Sequence, residues 1–160
     1  MKKIPFTKFQ LALEAVSLFL LIYFGWFLLS SWESIPNKVP THYNSAGIPD
    51  SWGGKKILII LFFVCLSVYL LVTVISFFPK SWNVPVAVTP ENEQFVYTNM
   101  RGMLCFIKFF IMAFFVYISI RSAQGNSLGA WSILAGVLAI FGSIAYYILK
   151  TVLGAKKLSS

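Results

Sequence analysis

His42 is the single histidine of this 160-residue chain; Asn44 follows two residues later, and Asp50, the single aspartate, eight. An imidazole near a carboxylate can move protons, and with Glu33 the same groups would offer nitrogen and oxygen ligands to a metal. Zinc normally takes several His or Cys ligands, and this segment supplies one, so no metal is expected. Nor does any residue pattern call for a cofactor. Catalysis has thin support: there is no second histidine for a Ser-His or Cys-His dyad, and no HExxH or GxSxG pattern. What remains is an acid–base site centred on His42. The plainer expectation is a structural network in which the ring, the amide and the carboxylate bond turn backbone. Ordered polar loops also carry recognition, so His42, Asn44, Gly47, Asp50 and Trp52 form the candidate partner-binding cap.

Two further sets of residues stand out because they interrupt apolar sequence. Glu14 and Lys108 each lie inside a long hydrophobic run. An ionisable side chain at the centre of a membrane span costs about 2.5–3.5 kcal/mol, so it is normally paired or near an end. Both runs leave the same side, which puts the two charges at similar depth and makes an intramembrane pair the expectation. Separate snorkelling to the headgroups is the alternative. The other set is Asn92, Tyr97 and Arg101, a candidate cytoplasmic stripe in which Tyr97, Arg101 and Lys108 recur at helical spacing. A packed or solvated face explains that spacing equally well.

The elements that must position these residues follow from composition. The chain is 58% hydrophobic and 11% charged, against about 25% charged in an ordinary soluble domain. A hydrocarbon core roughly 30 Å thick needs about 20 apolar residues of helix per crossing. Runs at about 11–31, 57–78, 103–120 and 128–149 meet that length, and open strands do not survive in lipid. The expected fold is therefore all-α: one integral membrane domain over residues 1–160, built as a four-helix bundle. A turn-rich extracytoplasmic cap would occupy the outer loop, 32–56. The cytoplasmic segment, 79–102, would hold an amphipathic helix, with Thr89 as N-cap and Pro90 in the first position. That helix would run through Met100 and could continue into the third span.

The net charge of +8 comes from residues at the ends of the apolar runs, not from a basic stripe with interleaved aromatics. Nucleic acid is not expected as a partner; the lipid bilayer is. Leaving out Lys108, one side holds Lys2, Lys3, Lys8, Lys80, Arg101, Lys150, Lys156 and Lys157, and the other holds Lys38, Lys55, Lys56 and Arg121. The positive-inside bias then puts both termini in the cytoplasm, with Lys55 and Lys56 opposing it. Met1-Lys2-Lys3 resembles the start of a signal peptide, but the apolar run that follows is too long and lacks a cleavage pattern. It is expected to stay as the first helix. Cys65 and Cys105 fall at different depths and should remain free. Small residues recur in the fourth run, at Ser132 and Gly136 and at Ala135, Ala139 and Ser143. They suit close helix contact within the molecule or in a homo-oligomer.

The outer loop is the most distinctive stretch. Pro40 favours an extended Val39, Thr41 to Asn44 suits a short strand, and Ser45-Ala46-Gly47 suits a turn with glycine left-handed. The pattern Pro40-Thr41-His42-Tyr43-Asn44, then Gly47, Asp50, Trp52-Gly53 and Lys55, lies between two hydrophobic helices. It resembles the bacterial family catalogued as domain of unknown function 1648. Asn83-Val84-Pro85, Thr89-Pro90-Glu91-Asn92, Tyr97, Arg101, Met103-Leu104 and Lys108 resemble that family's second block. The resemblance implies a multi-pass protein of the bacterial cytoplasmic membrane. Relatives include a larger immunity membrane protein of the sporulation-delay toxin system, whose additional helices this chain lacks.

The function expected from these observations is a small membrane binding or protection protein, immunity-like or accessory, that engages a peptide or membrane-protein partner. A small transporter or transporter subunit using polar groups between helices is the alternative, and a membrane enzyme with a His42-centred site comes third. The orientation has a direct test. With Cys65 and Cys105 replaced, a cysteine at Ser45 should react with an impermeant maleimide in intact cells, and one at Ser159 should not. The reverse pattern would invert the topology.

Overall fold

Thr7 opens the first helix through a reciprocal cap. Gln10 N donates to Thr7 Oγ1 at 3.2 Å, and Thr7 N donates to Gln10 Oε1 at 3.0 Å. This Thr-x-x-Gln box satisfies two backbone donors that the helix would otherwise leave open. Helix α1 (Lys8–Ser31) therefore begins ahead of the apolar run that starts at Leu11. The computed structural model describes residues 4–158. Strands β1 (Lys38–Tyr43) and β2 (Pro49–Gly54) follow, then α2 (Ile57–Ser76), a 3-10 turn at Pro79–Ser81, α3 (Glu93–Ala123) and α4 (Ala130–Leu158). All four α-helices are long and apolar enough to cross a membrane. The architecture is that of an all-α membrane protein carrying one small two-stranded sheet.

Helix ends follow local chemistry. α2 stops at Ser76 because Pro79 disfavours a helical Phe78, which sits at φ −115°, ψ 62°. α3 is a single helix of 31 residues, about 46 Å long at 1.5 Å per residue, so the segment before Met103 and the third span are continuous. It starts after Asn92 and not after Thr89. Asn92 Oδ1 accepts from Thr89 N at 2.9 Å, and Asn92 Nδ2 donates to Ala87 O at 3.1 Å. With Glu93 N on Thr89 O, these bonds hold residues 90–92 as a turn in front of the helix.

α3 is central: it packs against α1, α2 and β1 on the one hand and carries α4 on the other. The main core joins Phe24 and Leu28 of α1, Leu58 and Cys65 of α2, and Met112 and Val116 of α3. Ile35 and Val39, at the root of the hairpin, belong to the same cluster. A second cluster, Val96, Met100 and Ala155, fastens α3 to α4 at the end of the molecule where the described chain begins and finishes. This is the terminal end; the opposite one is the hairpin end. On α4, a Cβ at Gly136 would lie 3.1 Å from the Phe114 ring, so this small residue faces α3 of the same chain. Cys65 and Cys105 are buried free thiols.

The hairpin is seated on the α3–α4 connection. Gly47 has φ 73°, and its carbonyl accepts from Leu128 N at 2.7 Å. A Cβ there would lie 2.7–2.8 Å from the Gly129 backbone. Gly129 has φ 79° but open space around it. Gly129→Ala should cost about 1–2 kcal/mol, the usual left-handed penalty. Gly47→Ala should cost distinctly more, because backbone must also move. Thermal unfolding in detergent compares the two; equal losses would mean that the hairpin is not held in this seat.

Candidate functional site

The cap is built from strands with two irregularities. Pro40 pairs with Trp52, His42 with Ser51 and Tyr43 with Pro49, so Thr41 and Asp50 are the extra residues of two bulges. Bulges re-aim side chains, and here His42 Nδ1 meets Asp50 Oδ1 at 2.5 Å. The pair is open to solvent, with side-chain exposures of 70% and 42%. Trp52 and Ile48 are also exposed. Asn44 acts apart from this pair, because its Oδ1 accepts from Ala46 N and Ile48 N, both at 3.0 Å, and closes the turn. The expected three-residue network is thus two units, an Asn44 turn and an exposed His42–Asp50 pair. Among the described residues, no group of three His, Cys, Asp or Glu side chains comes together.

The underside of the hairpin is fixed. Val39 and Pro40 are buried, and Ser122 Oγ donates to Pro40 O at 2.6 Å. Tyr43 lies over the α3–α4 connection with its hydroxyl 3.4 Å from Asn126 O, and burial pushes its phenol above the ordinary value. Lys55 Nζ donates to Trp32 O at 2.8 Å and Ile35 O at 3.1 Å and sits 4.8 Å over the Trp32 ring. These bonds anchor the base of the loop, so the exposed face is presented by a rigid body.

Glu14 and Lys108 are brought together between the helices. Lys108 Nζ donates to Glu14 Oε2 at 2.5 Å and to Thr73 Oγ1 at 2.8 Å, and lies 4.6 Å over the Tyr69 ring. The Lys108 side chain is 0% exposed and that of Glu14 18%. The site joins α1, α2 and α3. Among the described residues, Glu14 Oε1 is buried without a hydrogen-bond partner. Thr73 and Tyr69 do not stand out in the sequence; their i, i+4 spacing on α2 is the one clue it offers.

The residues of the expected stripe separate. Asn92 is buried in its turn, whereas Tyr97 and Arg101 share a groove at the terminal end. Tyr97 stacks edge-on with Trp82, ring centroids 6.0 Å apart. Arg101 Nε donates to Ser76 O at 3.2 Å and Nη1 to Ile4 O at 2.7 Å. Other buried polar links are equally hard to read from sequence. Gln10 Nε2 donates to Thr98 O at 2.7 Å, and Asn99 Nδ2 donates to Thr151 Oγ1 at 2.6 Å. The Thr-x-x-Gln spacing could flag Gln10, while nothing local distinguishes Asn99.

Residues 18–68 match the family model described as a domain of unknown function, DUF1648. The match takes in most of α1, the whole hairpin and the first part of α2; the block from Asn83 to Lys108 lies outside it. No curated protein and no solved structure matches the chain.

A pair buried this well should behave as a unit. Removing one partner of a buried ion pair typically costs about 3–5 kcal/mol, against about 0–1 for a surface pair. Glu14→Gln and Lys108→Met should each fall in the larger class. The double variant should lose less than the sum, because no charge is stranded. Reversible unfolding in detergent measures all three; strict additivity would mean that the two side chains do not interact.

Proposed function

We propose that this chain is a small binding protein of the bacterial cytoplasmic membrane, immunity-like or accessory, that engages a peptide or membrane-protein partner through its hairpin. In this reading both termini are cytoplasmic and the hairpin is outside, following the distribution of Lys and Arg. The observation that carries the proposal is the contrast between the two faces of the hairpin. One face is bonded to α3 and to the α3–α4 connection through Pro40 and Gly47. Away from these contacts His42, Asp50 and Ile48 are exposed, while Trp52, opposite buried Pro40, is half-exposed with its ring edge toward Gly125 of that connection. A preformed aromatic and charged face loses little conformational freedom on binding, and aromatic residues are favoured contact anchors.

This reading is favoured over transport because the Lys108 ammonium between the helices is already held by other side chains. Lys108 is fully buried against Glu14 and Thr73. It is favoured over catalysis because His42 has Asp50 as its polar side-chain partner and no nucleophile bonded to it among the described residues.

A photo-crosslinking amino acid at Trp52, in intact cells, should give one discrete adduct that mass spectrometry can assign. The same probe at Leu138, on the exposed face of α4, should not give that adduct. His42→Ala and Asp50→Ala should weaken it severalfold while leaving the melting temperature nearly unchanged, because an exposed pair adds little stability. Absence of a discrete Trp52 adduct, or one insensitive to both substitutions, would remove the hairpin as the recognition surface.

A further inference from the structure

At the terminal end, a groove of about 770 Å³ opens between the start of α1, the end of α2 and the first turns of α3. Arg101 forms part of its wall and is only 3% exposed. Its guanidinium lies 4.4 Å over the Phe6 ring and donates to the carbonyls of Ile4, Pro5 and Ser76, all neutral acceptors. Among the described residues no carboxylate pairs with it, and Nη2 has no acceptor. A cation removed from water without a counter-charge is unfavourable, so the site is one anion short. Lys80 stands at the rim, and Glu93 is the single acidic residue of the lining.

The remaining wall is apolar. Phe77 and Phe78, which follow directly on α2, are 61% and 60% exposed. The groove flanks the ends of two membrane-length helices, which is where headgroups meet acyl chains. A small soluble anion would satisfy Arg101 and leave these rings uncovered. An amphiphile with an anionic head satisfies both features.

We propose that this groove binds one anionic phospholipid of the surrounding bilayer. Its phosphate would meet the free edge of the Arg101 guanidinium, with Lys80 at the rim and an acyl chain along Phe77 and Phe78. Arginine suits this role because its planar fork can bond a phosphate through more than one N–H. The proposal is independent of what the hairpin recognises.

Native mass spectrometry of the full chain, released from mild detergent with added lipid, tests it. Phosphatidylglycerol should be retained as one molecule per chain at activation energies that strip phosphatidylcholine. Lys80→Gln, at an exposed position outside the core, should weaken that retention about fivefold. Arg101→Gln should reduce it to the phosphatidylcholine level. If Arg101→Gln fails to fold, Lys80→Gln decides, and unchanged retention in that variant overturns the proposal. Equal retention of the two lipids also overturns it. Displacement of phosphatidylglycerol by millimolar inorganic phosphate would assign the groove to a soluble anion instead.

Discussion

A lysine ammonium with no access to water is the constraint around which the helices are arranged. Lys108 is the middle residue of α3, and it must find acceptors inside a protein whose surroundings offer none. Glu14 supplies the charge and Thr73 the second acceptor. Meeting both at once fixes the rotation of α1 and α2 about their own axes, since a turn of either helix by one residue would carry its acceptor away. Apolar packing alone would not select that register, because Leu, Phe and Val occupy nearly every face of α1 and α2. The polar contact specifies, and the cluster around Phe24, Leu58 and Met112 fills the space that the specification leaves.

The same logic recurs at both ends of the molecule. At the terminal end, Gln10 and Asn99 spend their amide groups on Thr98 O and Thr151 Oγ1, tying α1 and α4 to α3. At the hairpin end the donors are Ser122 and Leu128, and the acceptors are carbonyls of the loop. In a chain whose nonpolar surfaces are nearly interchangeable, a few directional bonds decide which surfaces meet. α3 takes part in most of them, which is why it is the axis of the fold.

Much of this is legible in the residues, and the parts that are not have physical reasons. The four apolar runs announce themselves by length, and the positive-φ turn by Ser45-Ala46-Gly47. Opposite charges at matched depth make Glu14 and Lys108 candidates for each other. Helix limits are harder, because hydropathy marks only the lipid-facing part. Thr7 and Gln10 extend α1 outward through a cap, and α3 runs back to Glu93 without a break at the polar stretch before Met103. The cap residues divide in a way that spacing does not reveal: a bulge at Asp50 aligns it with His42, while Asn44 turns inward to backbone. Asn99 is unreadable, since its partner Thr151 is 52 positions away.

The order of these elements along the chain has a consequence for biosynthesis. Glu14 and Thr73 lie on helices that leave the ribosome before α3. When Lys108 arrives, both of its acceptors are already within the lipid, so the least lipid-compatible residue of the third helix enters a site prepared for it. The hairpin is in the opposite position: its seat, around Ser122 and Leu128, is synthesised after it. The nascent chain therefore carries a loop with its lower face uncovered until the α3–α4 connection is made, and completing the last helix pair is what turns that loop into a rigid surface.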